Sequence, residues 1–572
     1  MSTTSARLSC SHVRRERALL PEQRWSRPAG AFRKAAIVLS FTLFASFSAC
    51  VPVARDGDAA DITGQPVALT LLHTSDTHAR LYEYQFTPSF TDNALGLQDD
   101  LGPYGGLAEM AYILKRERAR AGRVLHLDSG DSFQGAVVFN AYLGEAEFRA
   151  MSEAGLDAAV VANHEFDYGA GNLATQGAAW AKFDLLAANY DFADSDLPYA
   201  TELEDLVIPS KMYELDGLRV GVIGLANISS LNSIYDQSNS LGIRVIEPGP
   251  AIEDEAAKLR GEGAHIIVVL SHMGLDEDIE HALRYADIDI ILGGHNHVAL
   301  DPPLVVVNEA TDKRIPVVHS GAFAKFVGRF DAVIQDGEVL STDYTLFPVD
   351  GTVPQDAATA ELLMEYAEQL EYDVNLDQII GYAETELTRY GTSGGDSMLG
   401  NLSAEAMRST PGVETEIALT NTLGIRADIP AGDITLDTLF NAMPFDNTVT
   451  TMFLSGREVQ ELLDFATSRS TDRGCQSQIQ VAGIRFTMNC ELGVAQDIVI
   501  NGVPLQLDGT YELATNNYIA HGGSGFDVLE RNTTQVDTGI SIRDIVKQAI
   551  SAAGTLPQAG LAQEDGRIQA VY

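Results

Sequence analysis

Thiols are almost missing from this chain. Only four cysteines occur in 572 residues, Cys10, Cys50, Cys475 and Cys490. With no thiolate among its candidate donors, the chain cannot build a closed, cysteine-rich structural zinc site. Positive charge is also scarce: 38 Lys and Arg stand against 80 Asp and Glu, a net charge of −42. Such a surface repels phosphate backbones, which excludes electrostatic capture of a DNA or RNA polymer. Long apolar runs are lacking too. The one marked stretch, Ala35 to Phe47, is too short for a membrane span. No internal repeat or low-complexity tract is present. Apolar residues still make up 45% of the chain, enough for buried cores, and the length suggests two to four domains.

The N-terminus reads as an address. Arg14, Arg15, Arg17, Arg24, Arg27, Arg33 and Lys34 precede the apolar stretch, and Ser48 and Ala49 lead into Cys50. Basic region, short apolar core and small-residue exit describe an export signal. A Cys after small residues resembles the bacterial lipoprotein box, with Phe47 where Leu is usual. Residues 1–50 are therefore read as an export segment with Cys50 as a lipidation site, the alternative being ordinary cleavage near Ala49. This predicts a periplasmic or cell-surface protein, held to the outer face of a membrane if lipidated. Cys475 and Cys490 flank Val481–Phe486, which reads as a strand, and in an exported protein they are expected to form a disulfide.

Residues 51–66 are small and acidic, as in a tether. From Val67 to Asp350, apolar runs at Val67–His73, Arg123–Leu127, Asp157–Val161, His265–Leu270, Asp287–Leu292 and Val317–Val318 alternate with helical patterns such as Leu107–Arg120 and Gly249–Glu262. The alternation predicts a layered α/β domain. Strands that are apolar throughout fit a sheet covered on both faces. Residues 351–376 form a linker whose helix, Pro354–Tyr372, places Leu362, Leu363, Tyr366 and Leu370 on one face. A second α/β domain is expected over 377–561, followed by a polar tail, 562–572.

Five polar motifs each follow an apolar run: Asp76-Thr77-His78, Gly130-Asp131, Asn163-His164-Glu165-Phe166-Asp167, Ser271-His272 and Gly294-His295-Asn296-His297. Ligands in α/β folds gather at the carboxyl ends of strands. Carboxylate, imidazole and amide donors suit Mn, Fe, Co or Zn in an open catalytic site. Two such ions need a shared ligand, which a carboxylate can be. His73, His126, His265, His281 and His319 read as structural or exposed histidines.

The motif set resembles the calcineurin-like metallophosphoesterases. With the second domain it resembles the 5′-nucleotidase family, which includes UDP-sugar hydrolases and cyclic-nucleotide phosphodiesterases, over about residues 68–550. The resemblance implies a four-layer α/β/β/α sandwich joined by the linker helix to a nucleotidase domain. It implies two divalent ions, one on Asp76, His78 and His297, the other on Asn163, His272 and His295, with Asp131 bridging them. It makes His164 and Asp167 the catalytic dyad for in-line attack of an activated water on phosphate. Ala162 stands where the family usually has Gly, a small departure expected to leave metal binding intact even where it crowds the turn before Asn163.

In the second domain, Leu399-Gly400-Asn401-Leu402, Asn421 to Arg426, Pro444-Phe445-Asp446-Asn447, and Tyr518 with His521 to Phe526 match family segments. By that match Phe445 and Tyr518 stack on a base, while Asn421 and Arg426 contact a small nucleotide substrate. The chain departs from the family pattern at four places. Ser393 to Asp396 lacks a usual Arg, Thr422 and Leu423 replace two loop glycines, Ser524 replaces an Asp and His521 an Asn. The implied function is 5′-nucleotidase action on extracellular nucleotides for scavenging. The alternatives are a 2′,3′-cyclic phosphodiesterase with 3′-nucleotidase activity, a UDP-sugar hydrolase, or a non-catalytic surface binder.

Overall fold

The computed structural model describes residues 60–572, apart from residues 87, 99, 194, 196–198 and 229–242. The export segment, Cys50 and residues 51–59 of the tether lie outside the described residues. No described helix is long and apolar enough to cross a membrane.

Two stacked sheets form the centre of the first domain. One has seven strands, in the order Glu338–Pro348, Phe326–Gln335, Val67–Thr74, Val124–Asp128, Ala158–Val160, Asp184–Leu186 and Val207–Ile208. The other has six, in the order Leu304–Val307, Arg314–His319, Ile290–Gly293, Ile266–Ser271, Leu218–Leu225 and Ser210–Leu215. The strand Ile266–Ser271 explains the layering. Ile266, Val268 and Leu270 join the core shared with the first sheet. Ile267 and Val269 face the other way, packing with Ile252, Ala256 and Leu259 of the helix Pro248–Gly261. Alternate side chains thus enter different cores, so the strand is apolar throughout. The result is the α/β/β/α sandwich.

The linker helix spans Ala357–Val374 and starts on an Asp356 cap that accepts from the Thr359 backbone N–H at 3.0 Å. Its apolar residues Leu363, Tyr366 and Leu370 belong to the first domain's core. Tyr366 also donates to Glu145 at 2.7 Å. The connector is therefore built into the first domain as far as Leu370, and Val374 at its end packs on a core of the second domain.

The second domain carries three sheets. The five-stranded one runs Ile479–Ala482, Ile417–Asn421, Thr510–Asn516, Thr448–Ser455 and Val536–Ser541. Three expectations are corrected. The strand expected across Val481–Phe486 is two strands, Ile479–Ala482 and Ile484–Asn489, in different sheets. Gly483 divides them at φ +73°, a left-handed conformation that glycine adopts freely. The tail is part of the domain: Ile568–Val571 pairs in parallel with Ile484–Asn489, and the Arg567 guanidinium donates to the Val481 carbonyl at 3.0 Å. The end of the tether is also held, since the Gly64 N–H donates to Asp336 at 2.7 Å and Ile62 packs on the core. The disulfide forms between Cys475 and Cys490, 5.9 Å apart at Cα.

Candidate active site

Parallel pairing places the polar motifs at one edge. Thr74 lies opposite Asp128, and Ser271 lies between Leu225 and Gly293 in the second sheet. The loops after these strands bring the sequence-predicted ligands together. Side-chain donor atoms of Asp76, His78 and His297 lie within 4.8 Å of one another, as do those of Asp131, His272 and His295, and those of His78, Asp131 and His164. Asp131 is the hinge of the arrangement. Its Oδ2 lies 2.9 Å from His272 Nε2 and 4.0 Å from His78 Nε2. Asp76 Oδ1 is 3.5 Å from His297 Nε2.

The second nitrogens fix the tautomers. His78 Nδ1 donates to the Gln134 carbonyl at 2.8 Å and His272 Nδ1 to the Ser129 carbonyl at 2.6 Å. Each Nε2 is thereby aimed inward. Burial holds His78 and His297 well below the usual imidazole range, and His295 at about 3. They are neutral donors. Burial alone would lower His272 too, but Asp131 and Asp76 push it up to about 10. Burial pushes Asp76 up to about 6.

This cluster fits a pair of cations. Among the described residues, the buried Asn163 Oδ1 has no hydrogen-bond partner. Neither has His272 Nε2, which approaches Asp131 without hydrogen-bond geometry. The Nε2 atoms of His78 and His297 face each other at 3.0 Å. Lone pairs converge on common points, and the carboxylates leave negative charge to be neutralised there. Imidazoles, an amide oxygen and carboxylates are the donor set of an open dimetal site, with His272 giving up its proton on binding a cation.

His164 stands beside the cluster. Its Nδ1 is 2.7 Å from Asp167 Oδ2, and its Nε2 is 4.0 Å from Asp131 Oδ2. Burial lowers its pKa, but the Asp167 and Asp131 carboxylates outweigh that and raise it overall. Ala162 does not crowd the turn. It packs where Gly130 has no side chain; a Cβ on Gly130 would meet the Ala162 Cβ at 2.7 Å.

The second domain reaches the same place. Arg426 Nη2 lies 3.1 Å from His78 Nε2, and its guanidinium sits 5.7 Å from the Phe445 ring centroid. Phe445 lies 6.1 Å from the His164 ring. Asn421 Oδ1 accepts from Asn516 at 2.8 Å, and the Tyr518 hydroxyl meets Ser524 Oγ at 3.0 Å. Thr422 is tolerated in its loop because it forms a short 3-10 turn with Leu423 and Gly424, pinned by Thr422 N–H to the Gln478 carbonyl.

Several residues of the site were not singled out by sequence. Arg389 donates to the Arg426 carbonyl at 2.5 Å, so a guanidinium stands near Arg426 although Ser393 to Asp396 has none. Arg80, two positions after His78, reaches Asn441 across the domains. Asn140 donates to Asp446 at 2.9 Å. Only Arg80 carried a signal, its place just after the first motif.

Comparison with known proteins agrees with this geometry. The calcineurin-like phosphoesterase model matches residues 69–299, and the 5′-nucleotidase C-terminal domain model matches residues 379–531. A solved 5′-nucleotidase precursor from Thermus thermophilus is 31% identical, covers 88% of this chain and 99% of its own, and superposes with a TM-score of 0.79. The chain belongs to the 5′-nucleotidase family. It is a metal-dependent phosphoesterase with a dimetal-type Asp/His site. The 5′-nucleotidase of Vibrio cholerae is 27% identical over 90% of this chain and 95% of its own length. The trifunctional nucleotide phosphoesterase protein YfkN of Bacillus subtilis is 28% identical over 88% of this chain. The match spans 35% of that longer protein.

Proposed function

We propose that the protein is an exported 5′-nucleotidase that hydrolyses the phosphate ester of small nucleotides. The observation that carries this reading is the placing of Arg426 and Phe445, from the second domain, against His78 and His164 of the dimetal-type cluster. A reaction centre for phosphate and a surface for a planar base thus share one cleft.

Asp76, His78 and His297 would hold one ion, and Asn163, His272 and His295 the other, with Asp131 shared. When bound, two divalent ions lower the pKa of water and screen the phosphate's charge for in-line attack. Arg426 offers a planar fork to phosphate oxygens. Phe445 and Tyr518 stack on the base, and Asn421 adds a polar contact. His164, held by Asp167, gives its proton to the departing ribose oxygen. The Cys475–Cys490 disulfide supports an oxidising compartment, in keeping with the signal-like N-terminus and with lipidation at Cys50.

A hydrolysis panel over nucleoside 5′-monophosphates, 3′-monophosphates, 2′,3′-cyclic nucleotides and UDP-sugars, each with Mn, Zn, Co or Fe and with the products separated by chromatography, tests the reading. Fastest turnover of 5′-monophosphates is expected. Activity on cyclic but not on 5′-nucleotides would move the protein to the cyclic phosphodiesterase reading. Ser524, at the position of a family Asp, and the likeness to a trifunctional phosphoesterase are what favour that second reading.

A further inference from the structure

Five of the seven proposed ligand residues are backbone outliers. Asp76, His78, Asp131, His295 and His297 have φ values of 50°, 50°, 55°, 75° and 58°. Side-chain-bearing residues hold such left-handed conformations only where surrounding contacts impose them. What imposes the conformation of Asp131 is visible. Glu165, buried to 1% exposure, accepts four backbone N–H groups: Ala162 at 2.9 Å, Asp131 at 3.2 Å, Ser132 at 2.7 Å and Phe133 at 3.4 Å. Among the described residues, no Lys or Arg pairs with it. Its carboxylate is held by peptide dipoles, as an anion is held in a backbone nest.

The carbonyls of the same segment face the other way. Gly130 O accepts from Asp76 N at 2.9 Å, Asp131 O from His78 N at 3.0 Å, and Ser132 O from Ala79 N at 2.9 Å. Residues 130–133 are thus a rung between Glu165 and the first ligand loop, and three of the five motifs are locked together. The Asp131 side chain is set by the same clasp. Its Oδ1 accepts from the His164 backbone N–H at 2.9 Å, which leaves Oδ2 to face His78 and His272.

We propose that Glu165 is a positioning residue: by clasping the 130–133 backbone it fixes the Asp131 carboxylate between the two cation sites, so that both fill as a coupled pair. The proposal rests on the dimetal reading above. Glu165 is buried and occupied by backbone N–H groups, and its role here is positional, not proton transfer.

The test uses the full chain stripped of metal and titrated with Mn2+, followed by calorimetry and by low-temperature electron paramagnetic resonance. Wild type should take two equivalents and give the signal of an exchange-coupled manganese pair. Glu165→Gln keeps the shape but turns an amide towards the N–H groups. It should lose 10- to 100-fold in affinity for one equivalent, the range typical of residues that support metal ligands. Its signal should be that of isolated Mn2+, with thermal unfolding close to wild type. Glu165→Asp keeps the charge and shortens the reach, should weaken coupling in the same direction, and carries the test if the first variant does not fold. Wild-type affinities and coupling in whichever variant folds overturn the proposal. So does parallel loss of both equivalents together with thermal stability, which marks a merely structural residue. A wild-type protein that binds no coupled pair contradicts the dimetal reading instead, whatever Glu165 does.

Discussion

Removing the His164 imidazole should separate its proton from everything else in the site. The ring is held by Asp167 at 2.7 Å on one nitrogen, its other nitrogen lies 4.0 Å from Asp131, and the role assigned to it is proton transfer rather than ligation. His164→Ala should therefore leave metal content unchanged. A positioned general acid is worth about 10²–10⁴ in rate, equivalent to about 2.7–5.5 kcal/mol of barrier. Turnover of a nucleoside 5′-monophosphate, whose ribose alkoxide leaves poorly, should fall by that factor. A p-nitrophenyl ester needs no proton on its leaving group and should lose far less. The pH profile adds a second check. The Asp167 and Asp131 carboxylates raise His164 despite burial, and the acid must be protonated, so turnover falls as pH rises through its pKa. Asp167→Asn removes the larger of these two carboxylate effects, so this alkaline limb should move to lower pH. Phosphate-release kinetics on both substrates, with metal analysis of each variant, supply the data. Equal losses on both esters, or no loss, would refute the assigned proton transfer.

Phe445→Ala should raise KM for nucleotides by about 5- to 150-fold, from ~1–3 kcal/mol per stacked base, while kcat on an ester without a base stays near wild type; an unchanged KM removes the clamp. Replacing both Cys475 and Cys490 with Ser opens a loop with a sequence separation of 15. That should cost ~3 kcal/mol in the chain-entropy model, seen as a lower denaturation midpoint insensitive to reductant. Glu147 is fully buried, neither carboxyl oxygen has a hydrogen-bond partner among the described residues, and burial pushes it up to about 8. The folded protein keeps that proton where the unfolded chain releases it. Its contribution is therefore intact below about 4.5, the ordinary value, and is lost as pH rises towards 8. Glu147→Gln does not titrate, so its stability relative to wild type should grow by up to about 1.4 kcal/mol per pH unit across that window. Thermal unfolding at a series of pH values reads this out, and parallel curves for the two proteins would count against it.

The first domain was legible because its chemistry is periodic. Strands buried on both faces are continuous apolar runs, and the polar residues that end them are the proposed ligands, so Asp76, Asp131, Asn163, His272 and His295 stood out together. Features that depend on distant partners did not. The strand Ile568–Val571 is four residues long and gains its identity only by pairing with Ile484–Asn489. The break at Gly483 looks like any glycine in an apolar run until two sheets part there. Glu165 sat inside a recognised motif, yet its task, gathering N–H groups from a loop some thirty residues earlier, has no signature in sequence. Arg389 and Arg80 reach the cleft from segments without local periodicity, so nothing pointed to them beyond the place of Arg80 beside His78.

Anomalous scattering from crystals grown with Mn2+ is the most direct measurement of the central claim. Two peaks about 3.5–4 Å apart, with the Asp131 carboxylate between them and His78 and His272 on opposite sides, are the expected result. A single peak, or ions bound away from Asp131, would contradict it.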